Sequence, residues 1–231
     1  MPRNREIEVK LAVGDLPAVV KRLEGLGARR VARVFEQNAL FDTPDEHFRR
    51  HESILRIRVE ENVDPEGRPQ GPERRKSACE GLLTFKCPTE GARKVRRIAG
   101  SRYKEREEIE YRLPDAGRFA RLLERLGLRV WFRYEKYRTH YRISGSTLKI
   151  DLDETPMGTF LELEGSRRSI DRAAEALGYS VRDYNSASYF ELYAIECGRR
   201  GIPVANMAFS SKKNANSRTL RLTKFASAFN K

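Results

Sequence analysis

Seven short stretches of this chain alternate charged and apolar residues with a period of two, and nothing else in the sequence constrains the fold as tightly. Successive strand side chains point to opposite faces, so each stretch would carry its charges on one face and its aliphatic groups on the other. Glu6, Glu8 and Lys10 alternate with Ile7, Val9 and Leu11; Arg56, Arg58 and Glu60 with Leu55, Ile57 and Val59; Thr84 and Lys86 with Leu83 and Phe85. Arg106, Glu108 and Glu110 sit opposite Ile109 and Tyr111, and Lys136, Arg138, His140 and Arg142 opposite Tyr137, Thr139, Tyr141 and Ile143. Lys149, Asp151 and Asp153 oppose Leu148, Ile150 and Leu152, and Glu162 and Glu164 oppose Leu161 and Leu163. One such run is an ordinary half-buried antiparallel strand. Seven predict a sheet with a charged face. If that sheet curls into a barrel, helices must cover its apolar outside and the charges line its lumen.

Helical periodicity supplies the cover. Leu16–Gly27 has Asp15 as N-cap, Pro17 in its first turn and Gly27 as its stop. Asp115–Gly127 places Phe119, Leu122, Leu123 and Leu126 on one stripe and again ends in Leu-Gly, so the two segments suggest a weak internal duplication. Further helices are predicted over Ser169–Leu177 and from Asn185 to about Ile195, the last packing Tyr189, Leu192 and Tyr193. Residues 61–81, rich in Gly, Pro and charge, read as a long mobile excursion between strands.

The net charge of +13 is unevenly placed: residues 197–231 hold eight Lys and Arg and no acid, leaving +5 for the rest. The expected division is a tunnel domain over 1–196 and a poorly ordered basic tail over 197–231 that offers weak polyanion contact. No stretch approaches the roughly 18 apolar residues of a membrane span, and the N-terminus enters charged residues at once, so no membrane partner and a cytoplasmic location are expected. Cys79, Cys87 and Cys197 are odd in number without C-x-x-C spacing, which argues for reduced thiols.

The charges themselves suggest a ligand. Acidic pairs at Glu6/Glu8, Glu108/Glu110, Asp151/Asp153 and Glu162/Glu164 face basic pairs at Arg56/Arg58 and Lys136/Arg138. Carboxylates two apart on a strand offer adjacent oxygens to a hard cation, and Mg2+ joins one or two of them to substrate phosphates. Arg gives bidentate contacts to phosphate, whereas Lys acts as a point charge. Such a lumen suits an anion carried with its metal. Other residues have plainer readings: His140 as polar lining, His47 and His51 and the Arg74-Arg75-Lys76 run as solvated charge, and Trp131, Phe132, Tyr134, Tyr137 and Tyr141 as outer-face packing.

Glu6-Ile7-Glu8-Val9-Lys10 resembles the N-terminal E-x-E-x-K signature of the CYTH superfamily, the triphosphate tunnel metalloenzymes. The order of the later segments carries the resemblance: Phe41-Asp42-Thr43-Pro44-Asp45, Leu55-Arg56-Ile57-Arg58, Leu83-Thr84-Phe85-Lys86, Arg106 to Glu110, Glu135 to Arg138, Asp151 to Glu154, Phe160 to Glu164, and Ser188 to Leu192. It covers about residues 5–195. The resemblance implies an α+β fold, an eight-stranded antiparallel barrel with helices outside, holding a triphosphate with Mg2+ or Mn2+. By that likeness Glu6, Glu8, Glu162 and Glu164 are metal-side carboxylates, with Asp151 or Asp153 a further candidate. Lys10, Arg56, Arg58, Lys86, Arg106, Lys136 and Arg138 resemble substrate-binding cations, and Glu108, Glu110, Lys10 and Lys136 are the catalytic candidates. The chain departs from the pattern at Leu40, where many relatives carry Tyr. Members include triphosphatases and class IV adenylyl cyclases, so the expected substrate is triphosphate, thiamine triphosphate or ATP. Hydrolysis is the preferred expectation, with cyclisation of ATP as the alternative. A non-catalytic polyphosphate- or RNA-binding module is disfavoured, since acidic pairs repel phosphate unless a cation intervenes.

Overall fold

The structure, a computed structural model, describes residues 5–70, 79–89 and 102–210. Among these, eight antiparallel strands close into a barrel: β1 (Arg5–Val13), β2 (Ala28–Asp42), β3 (Ile54–Asn62), β4 (Gly81–Pro88), β5 (Lys104–Leu113), β6 (Arg129–Ile143), β7 (Lys149–Thr155) and β8 (Gly158–Glu164). They run in the order β1-β5-β4-β3-β2-β6-β7-β8, and β8 pairs back onto β1. Seven are the alternating runs. The eighth, β2, escapes that pattern because bulges at Arg30/Ala32 and Leu40/Phe41 shift its phase and its inner face mixes Glu36 and Asn38 with Leu40.

Outside lie α1 (Leu16–Gly25), α2 (His47–Arg50), α3 (Ala116–Arg125), α4 (Arg167–Ala176) and α5 (Tyr189–Arg200). Asp15 accepts from Ala18 N at 3.0 Å and Asp115 from Arg118 N at 2.9 Å, so the two similar segments are capped alike. They also occupy like places. Each joins one of a pair of adjacent strands, β1 and β5, to one of a second pair, the 15-residue strands β2 and β6. α4 begins two residues before the predicted Ser169, capped by Ser166, and α5 begins at Tyr189 rather than Asn185, where Ser188 and Glu191 form a capping box.

The outward apolar residues of β1, β7 and β8 pack with Val19 and Leu23 of α1 and Ile170 and Ala174 of α4. Those of β2 and β3 pack with Ala116, Ala120 and Leu123 of α3. Full burial of one such Leu or Ile is worth about 1.5–3 kcal/mol, so the apolar faces stay outward and the charges are left to the lumen. Helix α3 reaches its seat across Gly81, where a Cβ would stand 2.7 Å from Ala116 Cβ and 3.0 Å from Arg58 O. Gly81→Ala should therefore destabilise by about 1–3 kcal/mol, read as a lowered thermal midpoint.

At two places the elements cross the boundaries expected from the sequence. The boundary at 196 falls inside α5, which runs to Arg200, and the chain beyond it lies beside β6: Met207 N donates to Arg133 O and Glu135 N to Met207 O, both at 2.9 Å. Met207 is 1% exposed, and Phe209 sits against Tyr137, ring centroids 5.3 Å apart. The stretch these residues pin, 201–210, carries no charged side chain; six of the eight basic residues follow it in the sequence. Residues 211–231 lie outside the described residues. In the 61–81 excursion, β3 continues to Asn62 and then enters a tight turn, closed by Arg68 N donating to Asp64 at 2.8 Å. Residues 71–78 lie outside the described residues. No described helix is long and apolar enough to cross a membrane.

Candidate active site

The lumen is a cavity of about 590 Å³. Of the fifteen candidate site residues, fourteen line it: Glu6, Glu8, Lys10, Arg56, Arg58, Lys86, Arg106, Glu108, Glu110, Lys136, Arg138, Asp151, Glu162 and Glu164. Strand order sorts them by sign. The contiguous strands β7, β8 and β1 bring Asp151, Glu162, Glu164, Glu6 and Glu8 together, whereas β3, β2 and β6 bring together Arg56, Arg58, Lys136 and Arg138. An acidic wall thus faces a basic one.

On the acidic wall, register places Glu8 opposite Glu164 and Asp151 opposite Glu162. Lys10 Nζ lies 2.9 Å from Glu8 and 3.2 Å from Glu162. Lys86 Nζ donates to Glu6 at 2.6 Å and sits 3.0 Å from Glu108. Glu110 accepts from the Thr84 hydroxyl at 3.2 Å. Burial acts against ionisation of Glu8, but Lys10, Lys104 and Lys86 outweigh it and hold the carboxyl well below its usual range. Burial likewise opposes ionisation of Glu162, and Lys10 and Arg138 overcome it. Glu6 and Glu164 go the other way. Burial, then Glu8 beside Glu6, raises the first; burial, reinforced by Glu6, raises the second. Burial is the larger cause at both positions, even with Lys86 on Glu6 and Lys149 on Glu164.

The basic wall is built on two acids. Asp153 is fully buried and does not line the cavity. Its carboxylate accepts from Lys136 Nζ at 2.8 Å, from Arg138 at 2.7 and 2.6 Å, and from the Tyr189 hydroxyl at 2.5 Å. Asp153 thus lies behind Lys136 and Arg138 and not on the cavity wall, where its strand parity with Asp151 would put it. Glu36, also fully buried, lies 3.3 Å from Arg58 and 3.5 Å from both Lys136 and Arg138. Arg56 reaches Tyr134 and Thr84 at 3.4 and 3.2 Å, and its buried Nε has no hydrogen-bond partner among the described residues.

One end of the tunnel is apolar. Leu40, Ile54, Trp131, Tyr134 and Phe190 line it, so Trp131 and Tyr134 face the cavity instead of packing outside, whereas Tyr137 and Tyr141 do not line it. The Phe-Asp-Thr-Pro-Asp segment builds this mouth. Asp42 accepts from Thr43 N, Phe48 N and Arg49 N, ordering α2, and from Arg49 Nε at 3.0 Å. That contact holds the Arg49 guanidinium 4.4 Å above the Trp131 ring.

Sequence reasoning missed Glu36, Tyr189 and Lys104. Lys104 lines the cavity on β5, 3.0 Å from Glu8, and burial, together with Lys10 and Arg106 against partial compensation by Glu8, brings its pKa down to about 8. The period-two phase of Arg106, Glu108 and Glu110 extends back to Lys104 and could have found it. Arg106 itself donates to the Glu52 carbonyl and so also braces the turn before β3. His140 lines the tunnel as expected, with Nδ1 2.8 Å from Asp151.

Hard oxygen donors crowded into one wall fit Mg2+ or Mn2+. Among the described residues no three His, Cys, Asp or Glu side chains converge closely enough to hold a cation as they stand, since the wall's acids are turned toward neighbouring ammonium, guanidinium or imidazole groups.

A closed antiparallel barrel that sets carboxylates against cations across its lumen belongs to the class of charged-tunnel proteins. The CYTH domain model matches residues 4–188, and the chain belongs to the CYTH family. A Methanocaldococcus jannaschii protein provisionally named an adenylate cyclase is 28% identical over 172 residues, covering 74% of this chain and 83% of its own. A Vibrio parahaemolyticus structure, also provisionally called an adenylate cyclase, superposes with TM-score 0.62 at 17% identity over 82% of this chain and 97% of that one. A Hippeastrum protein, described as an adenylyl cyclase candidate with a dominant triphosphatase activity, gives TM-score 0.51 at 19% identity over 86% and 97%.

Proposed function

We propose that the chain is a divalent-metal-dependent triphosphatase acting on an organic triphosphate. The observation that carries this reading is the division of one lumen into an acidic and a basic wall. Glu6, Glu8, Glu162 and Glu164 would hold the cation, since register sets Glu8 opposite Glu164 and all four line one side of the lumen. A bound Mg2+ or Mn2+ supplies Lewis-acid polarisation of a phosphoryl oxygen. Phosphoryl transfer otherwise asks for positioning and charge stabilisation. Arg56, Arg58, Lys136 and Arg138 provide both, spread over two strands so that a longer anion touches more of them. Lys10, Lys86 and Arg106 extend the cationic surface toward the acidic wall, and Glu108 and Glu110 are the candidates for orienting the reacting water. Asp151, already engaged by Arg138, His140 and Arg142, orients those three groups.

The aromatic mouth favours an organic substituent on the triphosphate, because an inorganic chain needs no apolar surface. Trp131→Ala should raise KM about tenfold for the preferred heterocyclic triphosphate and leave inorganic triphosphate unchanged; equal effects on both would remove the mouth from substrate recognition. The names borne by relatives divide between cyclase and triphosphatase, and products separate the two. Incubation with ATP, thiamine triphosphate or triphosphate, followed by chromatography, should give orthophosphate and the diphosphate or pyrophosphate. Cyclic AMP with pyrophosphate would instead identify a cyclase.

A further inference from the structure

We propose that Lys104 is a further anion-binding residue of the tunnel, held on Glu8 until a divalent cation takes that carboxylate and then released to the phosphate chain. The inference rests on the metal-dependent triphosphatase reading and adds an order of events to it.

Glu8 Oε1 is shared by two ammonium groups, Lys10 at 2.9 Å and Lys104 at 3.0 Å. The two are not equivalent. Lys10 has a second acidic partner, Glu162 at 3.2 Å, and lies 5.3 Å from the Tyr189 ring centroid. Among the described residues Glu8 is the one acid paired with Lys104. The pairing is fixed by the fold, since Glu8 and Lys104 are register partners across β1 and β5. Lys104 is also largely withdrawn from water, its side chain 12% exposed, while lining the same cavity as the basic wall.

A cation coordinated by Glu8 would repel both ammonium groups. Lys10 would keep the Tyr189 ring and share Glu162 with the cation; Lys104, whose one acid among the described residues is Glu8, would be left as a buried charge without a counter-ion, a costly state. A phosphate oxygen in the lumen relieves that cost. Metal and anion are thereby coupled through Lys104, each favouring the other as linkage requires. Without metal, Lys104 is already satisfied by Glu8 and adds little to anion affinity. Lys136 differs in that its acids among the described residues, Asp153 and Glu36, lie behind the wall, so it serves the anion whether or not metal is present.

The test is calorimetric binding of a methylene-bridged triphosphate, which cannot be hydrolysed, to wild type, Lys104→Met, Lys104→Gln and Lys136→Met, each in chelator and in Mg2+. Complexation of Mg2+ by the free ligand is common to all proteins and cancels in the comparison. The two neutral Lys104 variants should bind tenfold or more weakly than wild type in Mg2+ but within threefold of it in chelator, whereas Lys136→Met should weaken both. Lys104→Arg, which keeps the charge, should restore most of the Mg2+-dependent affinity. Equal loss with and without Mg2+, or no loss in either, would overturn the proposal while leaving the tunnel reading intact. A wild-type protein that binds the analogue in neither condition would overturn both.

Discussion

Glu6→Gln and Glu164→Gln should each fold as wild type and lose about 100-fold or more in turnover, a loss of transition-state stabilisation of about 2.7 kcal/mol. Gln is nearly isosteric with Glu but removes the charge, and these are the two acids whose ionisation the wall already resists, through burial first and then neighbouring carboxylates. Removing one negative charge relieves that crowding, so the fold should not suffer. Thermal midpoints together with turnover across a Mg2+ and a Mn2+ titration check this. Wild-type rates in both variants would remove the acidic wall from the chemistry.

Asp153→Ala should have the largest effect on stability, about 3–5 kcal/mol. The residue is fully buried, and its loss leaves Lys136 leaning on Glu36 and Arg138 on Glu36, Asp151 and Glu162, and strips the Tyr189 hydroxyl of its acceptor. Chemical denaturation measures it directly. A cost below about 1 kcal/mol would mean that the basic wall does not depend on this carboxylate for its shape.

The contrast between these two kinds of acid indicates what the sequence can reveal. Period-two alternation gives the parity of a residue, and parity alone is enough to place Glu6, Glu8, Glu162 and Glu164 in one lumen. It does not give depth. Asp151 and Asp153 share a face, yet one lines the cavity and the other lies behind two cations, because depth depends on which neighbours bind the side chain across strands. Glu36 is illegible for a different reason: between the two bulges of β2 the positions in phase with it, Val34, Asn38 and Leu40, mix apolar and polar side chains, so no charged face shows in the sequence. Trp131 and Tyr134 read as outer packing because an aromatic in a strand is equally at home on either apolar surface, and the tunnel's own apolar end becomes visible only when α5 closes over it. At the C-terminus an average over 197–231 hides an uncharged stretch: residues 201–210 carry none of the eight basic groups, and they dock beside β6 through Met207, Phe209 and backbone hydrogen bonds with Arg133 and Glu135.

The most direct measurement is the rate of orthophosphate release from the preferred organic triphosphate in chelator and after restoring Mg2+ or Mn2+. The acidic and basic walls together predict negligible release without a divalent cation and recovery on its return. Release that persists undiminished in chelator, or cyclic product with pyrophosphate in place of orthophosphate, would contradict a metal-dependent triphosphatase.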